Sequence, residues 1–454
     1  MRRISCQKLA RLASGTATAN AFVSSIAVDS RQVERGSLFI ALQGEMVNGH
    51  DYVTDAFERG ASAAMVAKSH LARLRGRLGK EERPLIVVDD PRTALWQMAK
   101  GYVEEHKNIV KIGITGSCGK TTTKEMLASI LSEMGPTAKT PGNFNSDIGL
   151  PISLFEIDKE SEYGVFEMGI DRVGEMDRHL SLWKPEIALI TNIGLSHIGK
   201  LGTTDVIAKE KSKIFSPSLE RAYMVENSPY ISRISEWRGH SINQYGLSST
   251  KGVGQIISLG LQGWLIEVGP EQAHLKAVGK HNLINALGAI SVAQDLGGNP
   301  AQICAGLENF TPVEGRSKVV NGSVTVIEDW YNSSVDSTTS ILDYMVSLPW
   351  QGRKLAVLGS MKELGDMSEE AHLHIAHKLL AAKFDDVFLF GKEMSSAWSE
   401  IKRLGGKDHF FYTNDWEALQ KKMLEGTSRG DLVLLKGSRS MAMERLVPAL
   451  TSIA

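Results

Sequence analysis

Ile109-Val110-Lys111-Ile112-Gly113-Ile114-Thr115-Gly116-Ser117-Cys118-Gly119-Lys120-Thr121-Thr122-Thr123 runs from a short apolar segment, through two glycines, into a helical pattern. The β-branched start reads as a buried parallel strand. The helix should begin at Thr121 and run to about Met134, where Gly135-Pro136 stops it. A strand, a glycine turn and a helix N-terminus make a phosphate cradle. Backbone at Gly116 and Gly119 can approach an anion closely, and the free N–H groups and dipole of the first helical turn favour its charge. Lys120 supplies a mobile cation and Thr121 a hydroxyl suited to Mg²⁺. The usual eight-residue form of this loop has Gly five residues before Gly119, where Ile114 stands here, so the motif is the shorter Gly-x-x-Gly-Lys-Thr.

Around this stretch, 454 residues predict two to three domains. A hydrophobic fraction of 42% with 23% charged residues is that of a globular chain. A net charge of −1, with no basic tract, argues against nucleic acid and leaves any attraction for an anionic substrate to local groups. Cys6, Cys118 and Cys304 are few and widely spaced, which fits a reducing compartment rather than a disulfide framework or zinc site. The start, Met1-Arg2-Arg3-Ile4, carries charge without a following apolar core, and no run is long enough to span a membrane. The expectation is a cytoplasmic protein without membrane insertion.

Strands at Leu38–Leu42 and Leu85–Val88, with helices over Tyr52–Arg59 and Arg92–Glu105, make the first third an alternating α/β unit without its own phosphate cradle. Asp29-Ser30-Arg31 and Asn48-Gly49-His50 read either as turn chemistry or as a small domain's hold on the non-reacting part of a substrate. Past the cradle, Gly164–Glu167 and Ile187–Asn192 read as buried strands. Ligands of a doubly wound sheet sit beyond the carboxyl ends of its strands, where Glu167 and His197 fall. Glu167 is a candidate Mg²⁺ ligand and His197 a second ligand or an orienting group; a surface Glu and a structural His are the plainer alternatives. Asp205–Phe215 reads as a charged, solvated helix. Asn282 and Asn285 share one face of a helix starting near Gly279, either to meet a base edge or to cap the helix. Thr311–Arg316 reads as a linker into a last α/β unit, with strands near 324–327, 354–358, 387–390, 410–412 and 432–435 and a parallel sheet. His372, His374 and His377 do not share one helix face and are not a metal site.

Thr115–Thr123, Glu167, Ser196-His197, His281-Asn282-x-x-Asn285 and Gly315-Arg316 occur in the order seen in the Mur ligases, and the chain resembles that family from end to end. Thr140–Gly149, Asp329–Ser337, Val357–Gly365 and Leu435–Arg439 resemble the branch that adds D-alanyl-D-alanine. The resemblance implies three α/β domains: a small N-terminal UDP-sugar domain (1–88), a central P-loop ATPase-type domain with a parallel sheet (89–313), and a C-terminal Rossmann-like domain (314–454). It implies ATP and Mg²⁺ as cofactors, UDP-N-acetylmuramoyl-tripeptide and D-alanyl-D-alanine as substrates, and a monomer. Thr115, Gly116, Ser117, Cys118, Gly119, Lys120, Thr121 and Thr122 would then hold the ATP phosphates. Asn282 and Asn285 match the adenine side, and Arg316 and Asp329 match residues that reach ATP from the C-terminal domain. Thr121, Glu167 and His197 match metal-holding positions, and Lys211 matches a lysine carbamylated in several relatives. Lys120, His197, Lys211 and Arg316 are the catalytic candidates. Ser30, Arg31, Gly49 and His50 match the UDP-sugar signature. Cys118, Ser334-Val335 and Ser360 depart from the usual Asn, Asn-Pro and Asp, and Ile170–Val173 replaces a stretch that commonly carries Asn-His-Pro. The rival readings are a different Mur-type or folate-type amino-acid ligase, or a nucleotide-dependent switch that is not a ligase.

Overall fold

A computed structural model describes residues 3–78, 83–406 and 408–453. Met1 and Arg2, part of the charged start read from the sequence, lie outside the described residues. The first third carries strands β1 (Ile4–Ser5), β2 (Thr16–Ala17), β3 (Phe22–Val23), β4 (Ser25–Ala27), β5 (Ser37–Ile40), β6 (Ala63–Ala67) and β7 (Leu85–Val88). β1 and β3 form a small ribbon; the others make a sheet of order β2-β7-β6-β5-β4, parallel except for β2 at its edge. The helix Pro91–Glu104 follows, with Pro91 in its first turn and Asp90 accepting from Thr93 N–H as N-cap.

The middle third supplies β8 (Val110–Thr115), β9 (Thr137–Lys139), β10 (Tyr163–Glu167), β11 (Ile187–Ile190), β12 (Arg221–Val225) and β13 (Ile242–Tyr245). They form an all-parallel sheet of order β13-β12-β11-β8-β10-β9. β8 lies where the strand order reverses, with β10 and β11 on its two sides, so the loop after it opens into the crevice where such sheets bind ligands. Trp183 is buried beneath: its ring meets Phe166 edge-on at 4.7 Å, and its Nε1 donates to the Ile112 carbonyl at 3.1 Å. Helix Lys120–Ser132 packs between helices Lys280–Asp295 and Pro300–Asn309, placing the glycine loop between two layers.

The sequence reading did not anticipate β14 (Val253–Ser258), β15 (Trp264–Val268) and β16 (Glu271–Leu275), an antiparallel sheet of their own. β14 buries none of its residues and β16 begins Glu-Gln, so their hydrophobic signal is weak. The last third adds β17 (Lys318–Val320), β18 (Thr325–Asp329), β19 (Lys354–Gly359), β20 (Asp386–Phe390), β21 (Phe410–Thr413) and β22 (Leu432–Lys436). Their order is β17-β18-β22-β19-β20-β21, parallel as expected except for the short edge strand β17. The α/β architecture is therefore the expected one, with antiparallel additions. Among the described residues no helix is long and apolar enough to cross a membrane.

The charged segment read as a solvated helix forms a helix at Thr204–Ser212, but it buries Glu210 and Lys211. Glu210 accepts from the N–H groups of Gly174 (2.9 Å) and Met176 (3.1 Å), at the start of helix Glu175–Leu182. A carboxylate there satisfies orphan donors and complements the helix dipole, which is why this charge points inward. Of the three histidines on helix Ser368–Ala381, His372 is buried and structural: Nδ1 donates to the Ser368 carbonyl, and Nε2 accepts from Met361 N–H at 3.1 Å.

Candidate functional site

The loop after β8 is shaped by its neighbours as much as by any anion it could hold. Gly116 has φ +149° and Gly119 φ +81°. A Cβ on Gly116 would overlap the Thr191 hydroxyl, and one on Gly119 would lie 2.5 Å from Asn285 Oδ1. Glycine is therefore required at both positions by conformation or packing. Asn192, just past β11, accepts from Cys118 N–H through Oδ1 (2.8 Å) and from Ser117 N–H through its carbonyl (3.0 Å). The Ser117 hydroxyl donates to the Gly194 carbonyl at 3.1 Å. Gly119 caps helix Lys120–Ser132. Lys120 Nζ donates to the carbonyls of Gly116 (2.8 Å) and Ser117 (3.4 Å), and its burial holds the ammonium below the ordinary lysine pKa.

Glu167, at the end of β10, is buried with both oxygens occupied. Oε2 accepts from the Thr121 hydroxyl (2.8 Å) and Oε1 from Asn145 Nδ2 (2.6 Å). The loop carrying Asn145 is pinned by Lys124, whose Nζ donates to the carbonyls of Thr140 and Gly142, both at 2.7 Å. The Thr140 hydroxyl in turn accepts from Glu167 N–H at 2.8 Å. A hydroxyl, a carboxylate and an amide converging beside a phosphate loop form a hard oxygen set that suits Mg²⁺. His197, at φ +61°, puts Nδ1 2.7 Å from Glu363 Oε2 of the C-terminal unit.

Residues 117–121, Asn145, Glu167 and His197 line one cavity of about 250 Å³, closed on its far side by the last third of the chain. There Asp329 pairs with Lys436 Nζ at 2.9 Å and accepts from the Ser317 hydroxyl at 3.2 Å. The Arg316 guanidinium lies 4.0 Å over the Tyr331 ring, and its buried Nε has no hydrogen-bond partner among the described residues. Asn282 Nδ2 donates to the Val278 carbonyl (2.8 Å). Asn285 sits against Gly119, so the pair is brought to the loop.

Of the residues singled out from the sequence, Ser117, Cys118, Gly119, Lys120, Thr121, Thr122, Glu167, His197, Asn282, Asn285, Arg316 and Asp329 line this cavity. Thr115 does not: it is fully buried, and its hydroxyl is spent on the Met168 carbonyl at 2.7 Å. Gly116 is not among the lining residues either. Lys211 is buried outside the lining, and desolvation together with Lys120 holds its pKa well below the ordinary range. Cys118 places Sγ 3.3 Å from the Ser334 hydroxyl.

Ser30, Arg31, Gly49 and His50 lie in the N-terminal unit and do not line the cavity. Arg31 is exposed and paired with Asp29 at 2.6 Å. His50 is buried, with Nδ1 donating to Asn48 Oδ1 (2.8 Å) and Nε2 accepting from Ala67 N–H (2.9 Å). The sequence reading gave no role to Asn145, His281, Tyr331 or Lys436, which also line the cavity. Lys436 had a readable signal, a charge ending the wholly apolar run Leu432–Leu435.

Family models match three stretches: the Mur ligase family catalytic domain over residues 22–103, the Mur ligase middle domain over 114–293, and the Mur ligase glutamate ligase domain over 315–439. The UDP-N-acetylmuramoyl-tripeptide–D-alanyl-D-alanine ligase of Treponema pallidum is 36% identical over 428 residues, covering 94% of this chain and 93% of that one. The Bacillus subtilis enzyme of the same name is 33% identical, covering 94% and 92%. Among solved structures, MurF from Acinetobacter baumannii superposes with a TM-score of 0.83 at 29% identity, covering 99% of each chain. MurF ligase from Thermotoga maritima, in complex with ADP, gives 0.75 at 25% identity, covering 94% and 97%. A phosphate loop facing a charged C-terminal sheet, matched along nearly its whole length by these relatives, identifies the chain as belonging to the Mur ligase family.

Proposed function

We propose that the chain is an ATP-dependent ligase that joins D-alanyl-D-alanine to UDP-N-acetylmuramoyl-tripeptide. The observation that carries this reading is the single cavity that brings Lys120, Thr121 and Glu167 from the central sheet opposite Arg316, Asp329 and Lys436 from the C-terminal one. The named relatives supply the substrates, and the ADP-bound relative supports the nucleotide. The units 1–88, 89–313 and 314–454 are assigned to the UDP-sugar, to ATP and to the closing ligase domain. The enzyme is taken to act as a monomer in the cytoplasm.

A free carboxylate is a poor electrophile. The γ-phosphoryl group of ATP passes to the terminal carboxylate of the tripeptide, giving an acyl phosphate and ADP. The amine of D-alanyl-D-alanine then attacks the acyl carbon; a tetrahedral intermediate collapses to the amide, releasing phosphate and a proton. Lys120, already directed at the loop carbonyls, is placed to neutralise phosphate charge, which is positioning and electrostatics. Thr121 and Glu167, steadied by Asn145, would hold Mg²⁺ with His197, and the ion would supply Lewis-acid charge neutralisation. Ser117, Cys118, Gly119 and Thr122 shape the loop around the phosphates. Asn282 and Asn285 border the nucleotide, while Arg316 and Asp329 approach it from the other side. Burial lowers the Lys211 pKa, which favours the free amine that carbamylation requires. At the sugar end, Arg31 is exposed for an anionic group, while Ser30, Gly49 and His50 fix the turns that present it.

Phosphate release with ATP and Mg²⁺, omitting each substrate in turn, tests this. Release that requires both, with the pentapeptide product seen by mass, is expected. Release indifferent to both would leave an ATPase and overturn the ligase.

A further inference from the structure

Beneath the loop that carries Asn145, and outside the cavity, three buried side chains converge. Ligand atoms of Asp147, Glu175 and His179 lie within 4.8 Å of one another, and each of the three is at least nine-tenths buried. His179 is fully buried, and its Nε2 donates to the Gly169 carbonyl at 2.8 Å. That bond fixes the tautomer and leaves a lone pair on Nδ1. Nδ1 has no hydrogen-bond partner among the described residues, and neither does the buried Oδ1 of Asp147. A ring N–H held by a backbone carbonyl while the other nitrogen stays free is the arrangement of a metal-ligating histidine.

The unpaired atoms at this point, Asp147 Oδ1 and His179 Nδ1, are both acceptors. Glu175 uses Oε2 to accept from Asp171 N–H (2.8 Å). Asp147 uses Oδ2 to accept from Arg178 (2.6 Å) and Arg172 (2.9 Å). Those guanidiniums are 48% and 60% exposed, so water screens their charge, whereas the carboxylates and the imidazole are buried. Two orphaned acceptors in a buried site call for an electropositive guest. A mixed oxygen and nitrogen set favours a first-row transition ion or zinc over Mg²⁺ or Ca²⁺.

We propose that Asp147, Glu175 and His179 bind one divalent ion of the zinc, cobalt or manganese class as a structural brace. The ion would tie helix Glu175–Leu182 to the loop before residue 149. Helix Pro91–Glu104 joins the same cluster: Trp96 Nε1 donates to the Asp147 carbonyl (2.9 Å), and its ring stacks on His179 with centroids 6.4 Å apart. Two residues before Asp147, Asn145 holds Glu167. The brace would thus stiffen the side of the cavity that carries the carboxylate.

The test uses full-length protein stripped with a chelator and titrated with cobalt(II), followed by its visible absorption and by bound-metal analysis. One equivalent is expected to bind with bands of nitrogen ligation that survive excess Mg²⁺ and the Glu167→Gln change, which disables the cavity. His179→Gln and Asp147→Asn should abolish those bands, and zinc should raise the melting temperature of wild type but not of His179→Gln. Should those variants fail to fold, the near-isosteric Glu175→Gln should weaken binding by on the order of 10-fold or more. Cobalt that fails to bind, or that binds with a spectrum indifferent to His179→Gln and Glu175→Gln, would overturn the site and leave a buried water between the two acceptors. Binding lost in Glu167→Gln would overturn it too, by placing the ion in the cavity.

Discussion

Lys120 donates to the carbonyls at 116 and 117 of its own loop, so its ammonium is pre-positioned in a buried site where a lone positive charge is costly. Lys120→Ala is expected to lower turnover by ~10²- to 10³-fold, with binding of the UDP-sugar substrate unchanged by calorimetry. Turnover near wild type would remove Lys120 from the chemistry. The loop residues were legible because spacing alone exposes them. Thr115 was not, since whether a strand-end hydroxyl faces a ligand or a neighbouring carbonyl is settled by Met168, just past β10 and 53 residues on. His50 makes the same point. Its two ring nitrogens are committed to Asn48 and Ala67, its ring stacks on His70 at 4.0 Å, and Asp51 and Arg73 are the charges around it. Burial lowers its pKa to about 4. An unfolded histidine titrates near ~6.5, so the unfolded chain takes up a proton that the folded one refuses. Its stabilising effect is complete above about pH 6.5 and is lost as pH falls from there to about 4. Melting temperature should drop over that window, and His50→Gln should flatten the drop; an equal slope in both proteins would show that His50 does not set it.

Among the elements, helix Lys120–Ser132 is the one on which the cavity depends, and its register is set from behind. Gly306, on helix Pro300–Asn309, lies directly against the Ile130 backbone, and the Ser129 hydroxyl donates to the Gly306 carbonyl at 2.6 Å. A Cβ at Gly306 would meet main chain that cannot move aside. Gly306→Val should therefore destabilise the central unit by on the order of 3 kcal/mol or more, seen as a lower urea midpoint, and ATP affinity should fall with it. An unchanged midpoint would mean that the two helices separate freely. Helix Pro300–Asn309 was not read from the sequence, although Asn299 and Gln302 form a capping box and Pro300 opens the first turn. Those start signals are the readable part. The partner that its glycine face requires is a tertiary fact. β14 to β16 were missed because β14 buries none of its residues and β16 opens on two exposed polar ones, so too few apolar positions remain to mark a strand. The core strands β8, β10, β11, β19 and β22, covered on both faces, were read nearly to their ends.

At the scale of the molecule, the cavity exists because the C-terminal unit rests on the central one, where small polar contacts lie beside a hydrophobic cluster that the two units share. Gly365, at φ +56°, packs against Gly199 so closely that a Cβ on Gly199 would lie 2.6 Å from Gly365 N. Gly199 N–H donates to the Glu363 carbonyl at 3.1 Å, next to the Glu363–His197 pair. Further along the interface, His281 Nε2 meets the Ser317 hydroxyl at 3.1 Å and the Tyr344 hydroxyl donates to the Gly260 carbonyl at 2.7 Å. These contacts are polar. No stretch of sequence announces such a contact, because its two halves are about 165 residues apart and each half alone reads as a glycine turn. Gly199→Leu puts a bulky side chain into the seam without touching the phosphate loop. It should raise the radius of gyration in solution scattering and lower turnover by at least ~10-fold, while the melting of the central unit stays near wild type. Closure excludes the water that would hydrolyse an acyl phosphate, so the variant should also release more phosphate per amide formed than wild type. If scattering shows the units apart while phosphate and amide remain in step, protection of the intermediate does not depend on this seam.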